Sequence, residues 1–165
     1  MTVMKARRSF EALVWEDSEI LILGTIPSSS SIEKNEYYYH YANYIWDYLA
    51  KIYDEPRSRT WTEKKEFLHR HHIALWDMYE YSDIPGSVDK GLGEFNDLAG
   101  FLKRHLSITK ILLNGKKTAK AFQEYTEKVS AIPDYVRAFP LPSTSGANTS
   151  VPREVVLSAW KEALS

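Results

Sequence analysis

Residues 20–28 read ILILGTIPS: Ile20-Leu21-Ile22-Leu23, then Gly24-Thr25-Ile26-Pro27-Ser28. An unbroken apolar run leaves no polar face for water. Such a run suits a strand buried on both sides, as in a parallel sheet. Four β-prone runs of this kind occur: Glu19–Gly24, Ile73–Trp76, Lys110–Leu113 and Tyr135–Leu141. Segments of helical spacing alternate with them. Asn43–Tyr53 places Ile45, Leu49 and Ile52 on one face, and Thr60–Arg70 carries Trp61, Lys64, Phe67 and Leu68. Glu94–His105 carries Phe95, Leu98 and Leu102, with Leu106 just beyond, and Lys116–Val129 carries Ala119, Phe122 and Tyr125. Pro152–Leu164 closes the chain, with Pro152 suited to a helix start. Strands alternating with helices predict βαβ units, and hence a three-layer α/β/α fold around a central four-stranded parallel sheet. Arg7–Trp15 is expected to add a short strand or turn. With no internal repeat and no linker, residues 1–165 are expected to form a single domain.

The bulk composition agrees with this reading. A chain of 165 residues, 44% hydrophobic, can bury one core and is short for two. No apolar stretch reaches the roughly 18 residues of a membrane span, and the N-terminus has no signal-peptide pattern. The chain has no cysteine, so disulfides, thiolate metal sites and a cysteine nucleophile are excluded, and a cytoplasmic setting fits. A net charge of −1 argues against a protein held on nucleic acid by charge alone.

Ligands of an open parallel sheet sit beyond the carboxyl ends of its strands. The residues there are Thr25, Ile26, Pro27 and Ser28, followed by EYYYHYANYIW (Glu36 to Trp46), then Trp76 and Asp77, Asn114 and Gly115, and Pro142 to Asn148. This rim is rich in amides, hydroxyls and rings, and poor in carboxylates and bases. No G-x-S-x-G elbow, Walker loop or G-x-G-x-x-G fingerprint is present; Gly115-Lys116-Lys117-Thr118 is only the tail of a Walker motif. His69, His71 and His72 lack the spacing of a zinc site and read as residues that complement a helix C-terminus. Lys116, Lys117 and Lys120 read as a solvated helix face that could add to a backbone-binding surface. What remains is a pocket that takes a flat, hydrogen-bonding ring. An amide offers a donor and an acceptor together, matching a nucleobase edge, and stacking on tyrosine contributes about 1–3 kcal/mol per base.

Gly24-Thr25-Ile26-Pro27-Ser28 followed by Tyr37-Tyr38-Tyr39-His40-Tyr41-Ala42-Asn43-Tyr44-Ile45-Trp46 resembles the first signature of the uracil-DNA glycosylase superfamily. The hypoxanthine-DNA (deoxyinosine) glycosylase branch is the most similar. The resemblance continues through Ala74-Leu75-Trp76-Asp77, Pro85-Gly86-Ser87-Val88-Asp89, Asn96-Asp97 and Asn114-Gly115, and ends at Leu141-Pro142-Ser143-Thr144-Ser145-Gly146-Ala147-Asn148. It spans nearly the whole chain in order. Tyr41, Ile45 and Gly146 depart from the family's Pro, Phe and Pro, and Gly146 is expected to loosen the last loop.

The resemblance implies a monofunctional DNA glycosylase that flips a deaminated base, hypoxanthine or uracil, out of DNA and hydrolyses its N-glycosidic bond. Double- or single-stranded DNA is the implied partner, and a monomer without cofactor or metal is expected. The mismatch-specific branch positions water with an Asn where this chain has Ile26, so the resemblance assigns the catalytic amide to Asn43. As an amide, Asn43 would orient water or the departing base rather than take a proton; a residue that only caps the next helix is the other reading. Tyr38 is the implied stacking ring, with Tyr37, Tyr39 and Tyr41 as pocket wall or core. Asn114 would read the base edge, Asp77 would accept a hydrogen bond or cap a loop, and Thr25 and Ile26 would line the base site. Ser28, Ser143, Thr144, Ser145, Gly146 and Asn148 are expected to contact DNA, helped by Arg137 and Arg153, which flank the last loop in sequence. A non-catalytic nucleic-acid or nucleotide-binding module on the same fold is the competing reading, and Ile26 supports it.

Overall fold

The computed structural model describes residues 7–8, 10–82 and 94–165; the Pro85–Asp89 segment of the resemblance lies outside them. In chain order the elements are β1 (Arg7–Arg8), β2 (Ile20–Gly24), α1 (Ser29–Lys34), α2 (Ile45–Ile52), α3 (Trp61–Arg70) and β3 (Ile73–Asp77). There follow β4 (Tyr79–Ser82), β5 (Glu94–Phe95), α4 (Leu98–Arg104), β6 (Lys110–Asn114), α5 (Lys116–Lys128), β7 (Arg137–Leu141) and α6 (Arg153–Leu164).

The central sheet has the order β3-β2-β6-β7, and every neighbouring pair is parallel. β2 sits inside it, as its apolar run requires: Leu21, Ile22 and Leu23 are fully buried. Alternation divides these side chains between two cores. Ile22 joins Leu75 and Leu112 against α2, α3 and α6, through Ile45, Leu49, Phe67, Leu68, Val156 and Trp160. Leu21 and Leu23 join Ile111 and Leu113 against α4 and α5, through Leu98, Phe101, Leu102, Ala121 and Tyr125. The expected three-layer α/β/α arrangement is therefore present.

Local signals set the helix bounds. α3 starts with a capping box in which Thr60 accepts from the Glu63 amide at 3.1 Å and the Glu63 carboxylate accepts from the Thr60 amide. The expected helix over Glu94–His105 is shorter than its spacing suggested. Glu94 and Phe95 pair with β4, and Asp97 caps α4 by accepting from Gly100 at 3.0 Å. Pro152 is the cap of α6 rather than its first residue, and α2 starts at Ile45, two residues after Asn43. A second, antiparallel sheet of order β1-β4-β5 was not foreseen beyond the short strand expected near Arg7.

The three histidines lie at the other end of the sheet, around the end of α3. His69 and His72 face Asp17 at 3.6 and 3.3 Å, and His71 contacts Glu55. Among the described residues no cluster could hold a metal ion, and no helix is long and apolar enough to cross a membrane.

Ile22 has no exposure and belongs to a core shared with helices from three parts of the chain. Ile22→Ala is expected to cost about 2–5 kcal/mol, read as a lower urea midpoint with an unchanged slope.

Candidate active site

A cavity of about 660 Å³ opens at the carboxyl ends of the four parallel strands. Its lining includes Gly24, Thr25, Ile26, Ser28, Tyr38, Asn43, Asp77, Asn114, Ser143, Ser145 and Asn148. The parallel register brings this about, because Gly24 pairs with Asp77 and Asn114 with Leu141. The ends of all four strands therefore lie at one edge.

Two loops far apart in sequence meet there as a short antiparallel pairing. Asn43 bridges Ser145, the Tyr44 amide donates to the Thr144 carbonyl at 2.9 Å, and the Gly146 amide donates to the Ala42 carbonyl at 2.6 Å. A side chain at Gly146 would put a Cβ 2.5 Å from that carbonyl. Glycine there therefore pins the last loop instead of loosening it, and a proline would have no N–H to donate.

Thr144 links the two amides. Its hydroxyl donates to Asn43 Oδ1 at 2.8 Å and accepts from Asn114 Nδ2 at 3.0 Å, while its backbone N–H donates to Asn114 Oδ1 at 3.0 Å. Asn43 Oδ1 also accepts the Ile45 amide at 3.0 Å. That backbone N–H can only donate, so the atom facing it is the oxygen, and Nδ2 is left for the cavity. Asn43 thus steadies the start of α2 and lines the pocket at once. With both lone pairs of Oδ1 engaged, it offers a ligand a donor. Asn114 keeps a second hydrogen on Nδ2 and a second lone pair on Oδ1, a donor and an acceptor side by side.

The floor is unusual in its polarity. Asp77 is 4% exposed, and its Oδ2 has no hydrogen-bond partner. Burial pushes its carboxyl up to about 7. The Tyr38 hydroxyl is likewise buried without a partner, although the Asn114 amide is near enough to favour its ionised form. Burial first, and the Asp77 charge second, raise the pKa values of both Tyr37 and Tyr38. Gly24 makes room for this group, since a Cβ there would lie 2.7 Å from Asp77 Oδ1 and 3.1 Å from the Tyr38 hydroxyl. Tyr38 reaches the floor through a left-handed backbone, φ 52°, with its carbonyl held by the Trp46 indole N–H at 3.0 Å. Asp77 caps no loop: its carbonyl accepts from the Asn96 amide, and its side chain faces the cavity.

Other expected contacts fall elsewhere. Thr144 has no exposure, so its hydroxyl cannot reach a phosphate; it serves the two asparagines instead. Gly146 has already given its N–H to Ala42. Ser28 caps α1 by accepting from Ser31, yet remains exposed at the cavity edge. Arg137 begins β7, so it lies one strand length from the last loop, at the other end of the sheet. Arg153 stacks 3.9 Å above the Tyr44 ring. Tyr37 is buried and donates to the Glu11 carbonyl at 3.0 Å, but Tyr41 is 85% exposed and stacks on His40 rather than forming wall or core.

Several relatives share this chain's plan. A hypoxanthine DNA glycosylase of Methanosarcina acetivorans is 34% identical over 145 residues, covering 86% of this chain and 88% of its own. The chain belongs to the hypoxanthine DNA glycosylase family. A second such protein, from Methanosarcina barkeri, is 32% identical with the same coverage. A solution NMR structure from Methanosarcina acetivorans, provisionally named a uracil DNA glycosylase, superposes with a TM-score of 0.80 at 29% identity over 97% of each chain. No family model matches the chain. Membership makes this a DNA glycosylase, the reading that the resemblance implied.

The glycosylase cavity also includes His40, which was read only as part of the rim, and Lys116 and Lys117, which were read as a solvated helix face that could add to a backbone-binding surface. The two lysines open α5 right after Gly115, whose left-handed φ of 98° turns the chain from β6 into the helix. Their signal was present in Gly115-Lys116-Lys117-Thr118: basic residues at a helix start directly behind a strand.

The raised carboxyl of Asp77 has a consequence for stability. An unfolded chain ionises it near the ordinary aspartate value of 3.8, whereas the fold holds its proton to about 7. The folded state then binds more protons between these values, so its stability falls as pH rises through that window. Asp77→Asn, uncharged throughout, is expected to gain melting temperature over wild type from pH 4 to 7, with a constant difference above. Thermal scans across that range check this.

Proposed function

We propose that this chain removes a deaminated base, hypoxanthine first and uracil second, from DNA by hydrolysis of the N-glycosidic bond. The observation that carries the reading is the Asn114–Thr144–Asn43 hydrogen-bond chain at the wall of the cavity. It leaves polar valences of both amides free in fixed positions. Asn114 supplies a donor and acceptor that match the C=O and N–H shared by hypoxanthine and uracil. Asn43 supplies a donor from Nδ2.

Breaking the bond between base and sugar leaves negative charge on the base. A preorganised donor aimed at that charge stabilises the transition state more than the ground state. Asn43 Nδ2 fits this role better than water activation, because its Oδ1 already holds two donors and has no lone pair for a water proton. Tyr38 forms a ring wall for the flipped base, with Thr25 and Ile26 beside it. Ser28, Ser143, Ser145 and Asn148, with Lys116 at the start of α5, line the same cavity and would meet the phosphates around the flipped nucleotide. Hypoxanthine ranks first because both curated relatives bear that name.

Asn43→Ala is expected to lower single-turnover release of hypoxanthine by roughly 10²–10³, with duplex binding nearly unchanged. Thr144→Val cuts the link between the two amides and is expected to lower the rate as well, with intact Asn43. Duplexes carrying deoxyinosine, deoxyuridine or a thymine mismatch, scored for alkali-labile abasic sites, test the base preference. Binding without cleavage of any of them would favour the binding module.

DNA affinity should be modest and fall with salt. Lys116→Gln is expected to reduce the slope of log affinity against log salt by about 1, measured by fluorescence anisotropy with a labelled duplex.

A further inference from the structure

The floor of the cavity holds an acidic group for which the reading above has no use. Asp77 is 4% exposed, ends β3 where it lines the cavity, and has a side-chain oxygen with no hydrogen-bond partner. An unsatisfied buried carboxyl oxygen destabilises a fold unless a ligand completes it. The surroundings do not favour an anion. The titratable groups near it are the phenols of Tyr37 and Tyr38, from the loop before α2, with His40 on that loop and Lys116 and Lys117 of α5 lining the same cavity. Among the described residues no cation forms an ion pair with Asp77.

We propose that Asp77 is a catalytic acid that protonates a ring nitrogen of the purine as it departs. The proposal rests on the hypoxanthine reading above. Its geometry has three parts: the unpartnered oxygen, the place in the cavity floor, and a Cα at Gly24 whose missing side chain lets the carboxyl and the Tyr38 hydroxyl come close together. A carboxyl raised to about 7 by burial is protonated in a useful fraction at neutral pH. Purines differ from pyrimidines in the nitrogens they present. Hypoxanthine carries unprotonated N3 and N7 beside the N9 that leaves the sugar, and a proton on either relieves the charge that would otherwise build up on the base.

In the step, the proton of Asp77 passes to N3 or N7, and the C1′–N9 bond breaks with its electron pair going to the base. Hypoxanthine leaves neutral. Water adds its oxygen to C1′, and the proton it releases returns to the Asp77 carboxylate through solvent. Substrate and one water give free base and abasic site, and the acid is regenerated. Asn43 acts on the carbonyl side of the base and Asp77 on its ring nitrogens, so the two roles are separate.

The test uses the full chain and a duplex containing deoxyinosine, in single turnover from pH 5.5 to 9.5. The wild-type rate should be flat at low pH and fall tenfold per unit above about 7, the form expected for one essential acid. Asp77→Asn should be about 10²-fold slower at pH 6 and lose that limb of the profile. Of the two analogues 7-deaza- and 3-deaza-deoxyinosine, the one missing the accepting nitrogen should be cleaved by wild type about 10²-fold more slowly than deoxyinosine, and the other near the deoxyinosine rate. The analogues and the wild-type profile need no variant, so they decide the matter even if Asp77→Asn does not fold. Cleavage of deoxyinosine at a rate independent of pH through 7, or full activity of a folded Asp77→Asn, would overturn the acid and leave the hypoxanthine reading intact. No cleavage of deoxyinosine at any pH would overturn both.

Discussion

The hydroxyl of Thr144, with no access to solvent, has one proton, and that proton goes to Asn43. Its lone pair takes a hydrogen from Asn114, and its backbone amide holds the other end of the Asn114 side chain. One small side chain thereby sets which way two amides face. An asparagine on a loop could present oxygen or nitrogen to a ligand. Here the Thr144 hydroxyl and the Ile45 amide bind the Asn43 oxygen from two sides, so only nitrogen faces the cavity. Preorganisation of this kind is what separates a donor that speeds a reaction from one that merely binds.

The electrostatics around that link are divided by position. The interior of the cavity works with neutral groups: two amides, two phenols and a carboxyl that burial keeps largely protonated below about 7. Positive charge stays at the rim, on Lys116 and at the N-terminal end of α5. Such a division suits a polyanion that must be met outside and a neutral ring that must be held inside. It also fits a chain with a net charge of −1, since a few placed cations can serve where an overall basic surface is absent.

The strands of the central sheet could be read in the sequence because burial on both faces allows only apolar residues there, as in Ile20 to Leu23. The parallel order followed, and with it the edge where the site lies. The small antiparallel sheet could not be read: β1 and β5 are two residues each, and β4 follows β3 after Met78 alone. The spacing of Phe95, Leu98 and Leu102 fits a helix, but Asp97 and the pairing of Phe95 with Tyr79 divide it. Within the site, Asn43 and Asn114 were legible as amides at strand ends. Thr144 was not, because a Ser/Thr/Gly loop looks solvated until its partners are known. Arg137 seemed adjacent to that loop because sequence distance ignores direction, and five residues of strand carry it roughly 16 Å away.

The hydrogen bond from Thr144 to Asn43 joins residues 101 positions apart. Contacts of such separation form late in folding, because the loop-closure entropy must be met before they can contribute. The core around β2, β3 and β6 also draws on α6, through Val156 and Trp160, so the sheet and the Asn43–Thr144 link both depend on the last part of the chain. Completion of the reactive geometry is thus tied to completion of the polypeptide. A chain that stopped before β7 would lack both an edge strand of the sheet and the partner that orients the Asn43 amide.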